Sequence, residues 1–167
     1  MNKINSIKNL TVITPFKGSN NIKLYETINC LYKQNLKICI QHLILYDFSS
    51  NNISEIKENF PDKQNYFLKF IAIQKKGIYL AINIGLDLLE EESHYIVIGA
   101  GDLIFFNNIE KIDIGKLLMC QYKLSNKNKN INILRSIYSG MPYCHNAIIF
   151  KVNHLRYSTK YLICADY

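Results

Sequence analysis

Residues 76–102 read KGIYLAINIGLDLLEEESHYIVIGAGD, and the order of patterns within this stretch decides the fold. Lys76 and Gly77 make a turn. From Ile78 to Leu89 the helical period places Ile78, Ala81, Ile82, Gly85 and Leu89 on one face. A polar loop leads to Tyr95-Ile96-Val97-Ile98, a short apolar strand that breaks abruptly into Gly99-Ala100-Gly101-Asp102. Three small residues and a carboxylate at the carboxyl end of a buried strand stand where an open α/β sheet handles ligands. A turn-capping aspartate has the same local signature, so the rest of the chain must decide.

Towards the amino terminus, Phe67 to Ile73 and Ile40 to Tyr46 read as strands, and Leu10 to Thr14 is a β-branched run stopped by Pro15. Between the first two lies a helix, Ile22 to Gln34, with Leu24, Ile28, Leu31 and Tyr32 on one face and Asn20 or Asn21 to cap it. Asp47 and the polar run behind it can cap a short helix, Ile53 to Asn59. This β-α-β-α-β-α-β alternation predicts an α/β domain with a largely parallel sheet covered by helices on both faces.

Beyond Asp102 the pattern loosens. A short helix is expected within Phe105 to Met119, an edge strand over Met119 to Leu124, an exposed hairpin loop at Ser125 to Asn130 before Ile131 to Ile137, and another strand over Ala147 to Lys151. The last residues, Ile163-Cys164-Ala165-Asp166-Tyr167, are apolar and aromatic where a domain end is usually polar, and they read as cut short.

Composition narrows the class. With 167 residues, 49% hydrophobic and 20% charged, the chain is one domain with enough apolar surface to bury a core without staples. No apolar run is long enough to span a bilayer and no signal-peptide pattern opens the chain, so a cytoplasmic protein is expected. Five cysteines, without a C-x-x-C pair, read as buried reduced thiols. The net charge of +7 suits an anionic partner, although a solvated lysine-rich surface is the better explanation. Neither G-x-G-x-x-G nor G-x-x-x-x-G-K-[ST] occurs, which disfavours dinucleotide oxidoreductases and P-loop enzymes. What remains are carboxylates at strand ends: Asp47, Asp102 and, at the terminus, Asp166.

Six segments together resemble family 2 glycosyltransferases of the GT-A fold, in the branch acting in bacterial surface-polysaccharide synthesis. Val12-Ile13-Thr14-Pro15-Phe16 is similar to the family's opening V-I-T-P strand, and Tyr46-Asp47-Phe48-Ser49-Ser50-Asn51 to its D-[DG]-G-S-x-D. Lys76 to Gly85 resembles K-G-I-Y-D-A-M-N-K-G, the most specific match. Gly99-Ala100-Gly101-Asp102 stands in place of the DXD-like N-A-D-D, Met141 to Asn146 resembles M-P-x-C-H-Q, and Ile163 to Tyr167 resembles I-A-A-D-Y. Departures are also plain. Tyr46 and Asn51 replace acids, Leu80 replaces the aspartate of Y-D-A, and Gly101 replaces the first aspartate of the DXD pair.

The resemblance implies a Rossmann-like GT-A domain over residues 1–167 that lacks the family's C-terminal region. It implies an inverting transfer from a nucleotide-diphosphate sugar to a saccharide or lipid-linked saccharide, with peripheral contact at the inner face of the membrane and no nucleic acid. Thr14, Pro15, Phe16 and Asp47 would lie near the donor base, with Lys76, Tyr79, Asn83 and Gly101 completing the donor site. For Tyr79 and Asn83 a helix-packing role is the alternative. Asp102 would reach Mg²⁺ or Mn²⁺, Asp166 would be the general base, and His145 would touch phosphate or acceptor unless it is structural. Missing acids weaken hold on a divalent ion, so a degenerate relative that binds nucleotide without transfer is the second expectation. A basic anion-binding module is the third.

Overall fold

The computed structural model describes residues 8–17, 21–47, 53–74, 77–90, 93–109, 118–119, 148–154 and 156–160. In chain order the elements are β1 (Asn9–Phe16), α1 (Asn21–Tyr32), β2 (Cys39–Asp47), α2 (Ile53–Asn59), β3 (Tyr66–Ile73), α3 (Ile78–Asp87), β4 (His94–Val97), β5 (Leu118–Met119) and β6 (Ile148–Lys151). The strands form one sheet in the order β3-β2-β1-β4-β6-β5. β1 to β4 run parallel, whereas β6 lies antiparallel to both β4 and β5. The mostly parallel sheet and the edge placement of Met119 are as the sequence led us to expect. The segments 120–147 and 161–167, with the motifs around His145 and Asp166, lie outside the described residues, as does Lys76.

Alternation along the strands sorts the core. Leu10, Val12, Phe16, Ile40, Ile44, Ile96 and Ile98 face α1 and α2, and Ile13, Leu43, Leu45, Tyr95 and Val97 face α3. Both faces are therefore apolar, which is why these strands read as nearly continuous hydrophobic runs. α1 buries Leu24, Thr27, Ile28 and Leu31. Tyr25 and Tyr32 pack their rings on Phe60 just beyond α2, at centroid distances of 4.9 and 5.3 Å.

α3 lies close to the sheet because Gly85 has no side chain. A Cβ there would stand 3.1–3.2 Å from Ile13 and Leu45. The helix starts directly after Gly77, whose φ of 137° is costly for any other residue. Its buried face is Ala81, Ile82, Gly85 and Leu86. Ile78, expected on that face, is 53% exposed, because the first turn overhangs the ends of β1 and β2.

Two further expectations change. Pro15 does not stop β1, which continues to Phe16 in register with β2. The Ile13 carbonyl accepts from Ile98 N–H on the β4 side, so Pro15, two residues on, turns its missing N–H to that side, where β4 has ended. Residues 103–106 run along α1 as an extended segment, and most of the stretch where a short helix is expected, residues 110–117, lies outside the described residues. Cys30 and Cys39 are free thiols but half-buried rather than buried. Among the described residues no helix is long and apolar enough to cross a membrane.

Candidate functional site

Parallel pairing brings the carboxyl ends of β1, β2, β3 and β4 to one edge of the sheet. On its α3 side a cleft of about 270 Å³ is lined by Pro15, Phe16, Lys17, Leu45, Asp47, Ile73, Gly77, Ile78 and Ala81. Period-two geometry places Pro15, Leu45 and Asp47 on the α3 face, whereas the Phe16 ring packs on the α1 and α2 side; Asp47 and Lys17 are the charged groups of a mostly apolar wall. Three residues singled out by sequence, Pro15, Phe16 and Asp47, are thus gathered in one cavity.

Thr14 is placed otherwise. One residue out of phase, it points to the opposite face and is fully buried, with Oγ1 2.9 Å from His42 Nε2. The other ring nitrogen of His42 lies 2.6 Å from the Tyr66 hydroxyl. A neutral imidazole donates from one nitrogen and accepts at the other, and either hydroxyl can take either role. Burial holds the His42 pKa down to about 3 and raises that of Tyr66, so the ring stays neutral at physiological pH. The Thr14 side chain is accordingly part of the core, and only its backbone borders the cleft residues.

At the same edge, beyond β1, the Gly99–Asp102 turn leaves β4. Asp102 folds back so that Oδ2 accepts from Gly99 N–H at 2.7 Å, and Asp102 N–H donates to the Gly99 carbonyl at 3.1 Å. Gly101 has φ 99°, and a Cβ there would stand 3.3 Å from Cδ of Lys23. Gly101 therefore shapes the turn and does not line the cleft. The turn lies on α1, where the Thr27 hydroxyl accepts from Gly101 N–H at 2.8 Å and donates to the Asp102 carbonyl at 3.0 Å. Just past the end of α1, Gln34 donates to the Ile104 carbonyl at 2.7 Å and accepts from Phe106 N–H at 2.9 Å. Cys30 Sγ–H donates to the same Ile104 carbonyl.

α3 carries a comparable stripe. Asn83 pairs with both backbone groups of Tyr157, donating to its carbonyl at 2.8 Å and accepting from its N–H at 2.9 Å. Tyr79 stacks on the Tyr157 ring at 5.6 Å, and Arg156 Nε donates to Asp87 at 2.8 Å. Tyr79 and Asn83 thus hold the segment after β6 on the helix, the packing alternative of the sequence reading. Thr27 and Gln34 were missed by that reading; the available signal was a threonine amid the apolar face formed by Leu24, Ile28 and Leu31.

A divalent ion has limited but usable provision. Among the described residues no three His, Cys, Asp or Glu side chains cluster. Asp102 offers one hard oxygen donor, oriented by its turn, and Mg²⁺ characteristically takes one or two carboxylates and completes its shell with substrate phosphate and water. Among the described residues that single carboxylate fits an ion recruited together with a diphosphate.

Neither a protein-family model nor a characterised protein sequence matches this chain. Solved structures do. The chain superposes on TarS from S. aureus with a TM-score of 0.68 at 19% identity, covering 95% of this chain and 32% of that one. For TarS 1–349 in complex with UDP the values are 0.68, 18%, 95% and 52%. For TarS 1–349 without a named ligand they are 0.62, 20%, 86% and 47%. The chain therefore has the GT-A fold, and it spans about a third to a half of the TarS chains it matches.

Proposed function

We propose that the chain binds a nucleotide-diphosphate sugar across the carboxyl edge of the sheet and transfers the sugar to a hydroxyl acceptor with inversion. The cleft carries this reading: Pro15, Phe16 and Asp47 line one cavity at the edge where the Asp102 turn also lies. The TarS likeness supports it, since one TarS structure of the same fold contains UDP.

In this reading the base enters the cleft against Pro15, Ile73 and Ala81, and the Asp47 carboxylate accepts an N–H from the base edge. The diphosphate runs past the end of β1 towards Asp102, with Lys76, the residue before Gly77 of the cleft, as a cation near its path. Mg²⁺ or Mn²⁺, held by Asp102 and the diphosphate, would offset negative charge on the leaving group. Asp166 takes the proton from the acceptor hydroxyl as that oxygen attacks the anomeric carbon, a role whose usual worth is on the order of 10²–10⁴-fold. The C1–oxygen bond to the diphosphate breaks in the same displacement, and the nucleotide leaves as its diphosphate. His145 contacts phosphate or acceptor. The acceptor is a saccharide or lipid-linked saccharide in polysaccharide synthesis, met in the cytoplasm or at the membrane's inner face. Residues 1–167 act as one glycosyltransferase domain.

A second reading, nucleotide binding without efficient transfer, is favoured by the neutral residues Leu80 and Gly101. Thermal-shift measurements with UDP, GDP and CDP, with and without Mn²⁺, test the binding step. Release of nucleoside diphosphate from donor sugars, compared with Asp102→Ala and Asp166→Ala, tests transfer. Selective stabilisation with Asp166-dependent release supports the first reading, and stabilisation alone supports the second. Equal response to all three nucleotides overturns both.

A further inference from the structure

We infer that Thr27 is the positioning residue for Asp102, setting the turn that meets the donor diphosphate; the inference rests on the transferase reading of that turn. Thr27 sits fully buried on α1, among Leu24, Ile28 and Leu31, where an unsatisfied hydroxyl would be costly. It is satisfied by two groups of the turn: Gly101 N–H at 2.8 Å and the Asp102 carbonyl at 3.0 Å, with the Gly99 carbonyl at 3.4 Å. The contacts are 72 to 75 residues apart in sequence, so they tie the turn to a helix that is itself packed in the core.

The consequence reaches the carboxylate. Thr27 fixes the backbone of residues 101 and 102, while Gly99 N–H fixes Oδ2 at 2.7 Å. Both ends of the Asp102 side chain are thereby oriented before any ligand arrives, which removes an ordering cost from binding. β-Branching restricts χ1 of Thr27, so its hydroxyl holds one direction. The Lys23 stem, one helical turn earlier, covers Gly101 from outside and closes the cradle. Valine would keep the shape of Thr27 but leave Gly101 N–H without its acceptor.

The test compares Thr27→Val and Thr27→Ser with the unaltered chain, using whichever of UDP, GDP or CDP stabilises that chain most. Two quantities are read: the Mn²⁺ midpoint of the nucleotide-dependent thermal shift, and hydrogen exchange at the Gly101 amide. Loss of an orienting partner typically weakens metal affinity on the order of 10–100-fold, and the valine variant is expected to shift the midpoint by that amount. Its Gly101 amide exchanges faster, the serine variant restores both readouts, and the nucleotide shift in EDTA is unchanged. Thr27→Ala carries the same expectation should the valine protein fail to fold. A midpoint unmoved in the valine and alanine variants overturns the inference and leaves the donor reading standing. An unaltered chain that responds to no nucleotide overturns the donor reading, and with it the role assigned to Thr27.

Discussion

Acid should destabilise this protein through His42. The folded pKa is about 3 because the ring is buried, against 6.5 when exposed in the unfolded chain. The folded state therefore refuses a proton that the unfolded state accepts. Stability from the neutral ring is fully present above pH 6.5, declines as pH falls below it, and has been lost once the folded ring protonates near pH 3. Within that window the slope approaches about 1.4 kcal/mol per pH unit. Between pH 7 and pH 5 the loss is about 2 kcal/mol, a substantial part of the roughly 5–15 kcal/mol that holds a domain folded. His94, its pKa also lowered by burial and by the neighbouring Lys151, adds in the same direction.

Urea unfolding at pH 7 and pH 5 measures the effect, and His42→Gln isolates it. The glutamine protein starts less stable at pH 7 because Thr14 and Tyr66 lose their partner, but its stability falls less between the two pH values. If the two proteins lose the same free energy from pH 7 to pH 5, the neutral-imidazole account is wrong. Tyr66→Phe gives an independent check: leaving one buried ring nitrogen unpaired should cost roughly 1–3 kcal/mol at pH 7.

Gly85→Val should destabilise by roughly 1–3 kcal/mol in urea titration, since Ile13 and Leu45 are fully buried and cannot move aside. Asn83→Ala removes both hydrogen bonds to Tyr157, so the Tyr157 amide should exchange faster at a stability cost of about 1–2 kcal/mol. Nucleotide-induced stabilisation should survive that change; its loss with Tyr157 exchange unchanged would return Asn83 to the donor site. Asp47→Asn should weaken the preferred nucleotide by on the order of tenfold, about 1.4 kcal/mol; an unchanged midpoint in nucleotide titration would remove Asp47 from base recognition.

The parts of this molecule that were legible in sequence are those whose cause is periodic. Ile53–Asn59 is an expected helix, and β2, β3 and β4 differ from expectation by a residue at one or both ends, because alternation and the 3.6-residue period are local signals. Motif resemblance identified Pro15, Phe16 and Asp47 but could not assign a face. That depends on register: Thr14 and Pro15 are adjacent in sequence and on opposite sides of the sheet. Pro15 itself misled as a strand end, since what matters is whether a partner strand needs its N–H, a long-range fact. Tyr79 and Asn83 matched a donor-site motif in sequence, yet their partner is 74 residues away from Asn83 along the chain.

The two polar stripes explain how a parallel sheet can hold its edge segments still. Helix packing alone would leave residues 99–106 and 156–157 as connections with exposed backbone groups. Instead Thr27 and Cys30 on α1, with Gln34 just past its end, satisfy the first, and Tyr79, Asn83 and Asp87 on α3 engage the second. Each stripe follows the three- and four-residue spacings that align side chains on a helix surface. The contributions are unequal. Arg156–Asp87 is solvent-accessible at both ends, 34% and 64%, and belongs with pairs worth about 0–1 kcal/mol. Asn83 and Thr27 satisfy backbone groups that would otherwise be partly buried, so orientation of both segments falls chiefly to uncharged amide and hydroxyl groups. Salt should therefore leave the geometry of this edge unchanged while weakening any attraction of its lysines for a diphosphate. Nucleotide affinity that falls with ionic strength, alongside constant Gly101 and Tyr157 exchange, is the pattern this division of labour requires; exchange that rises with salt would mean ion pairs hold the edge.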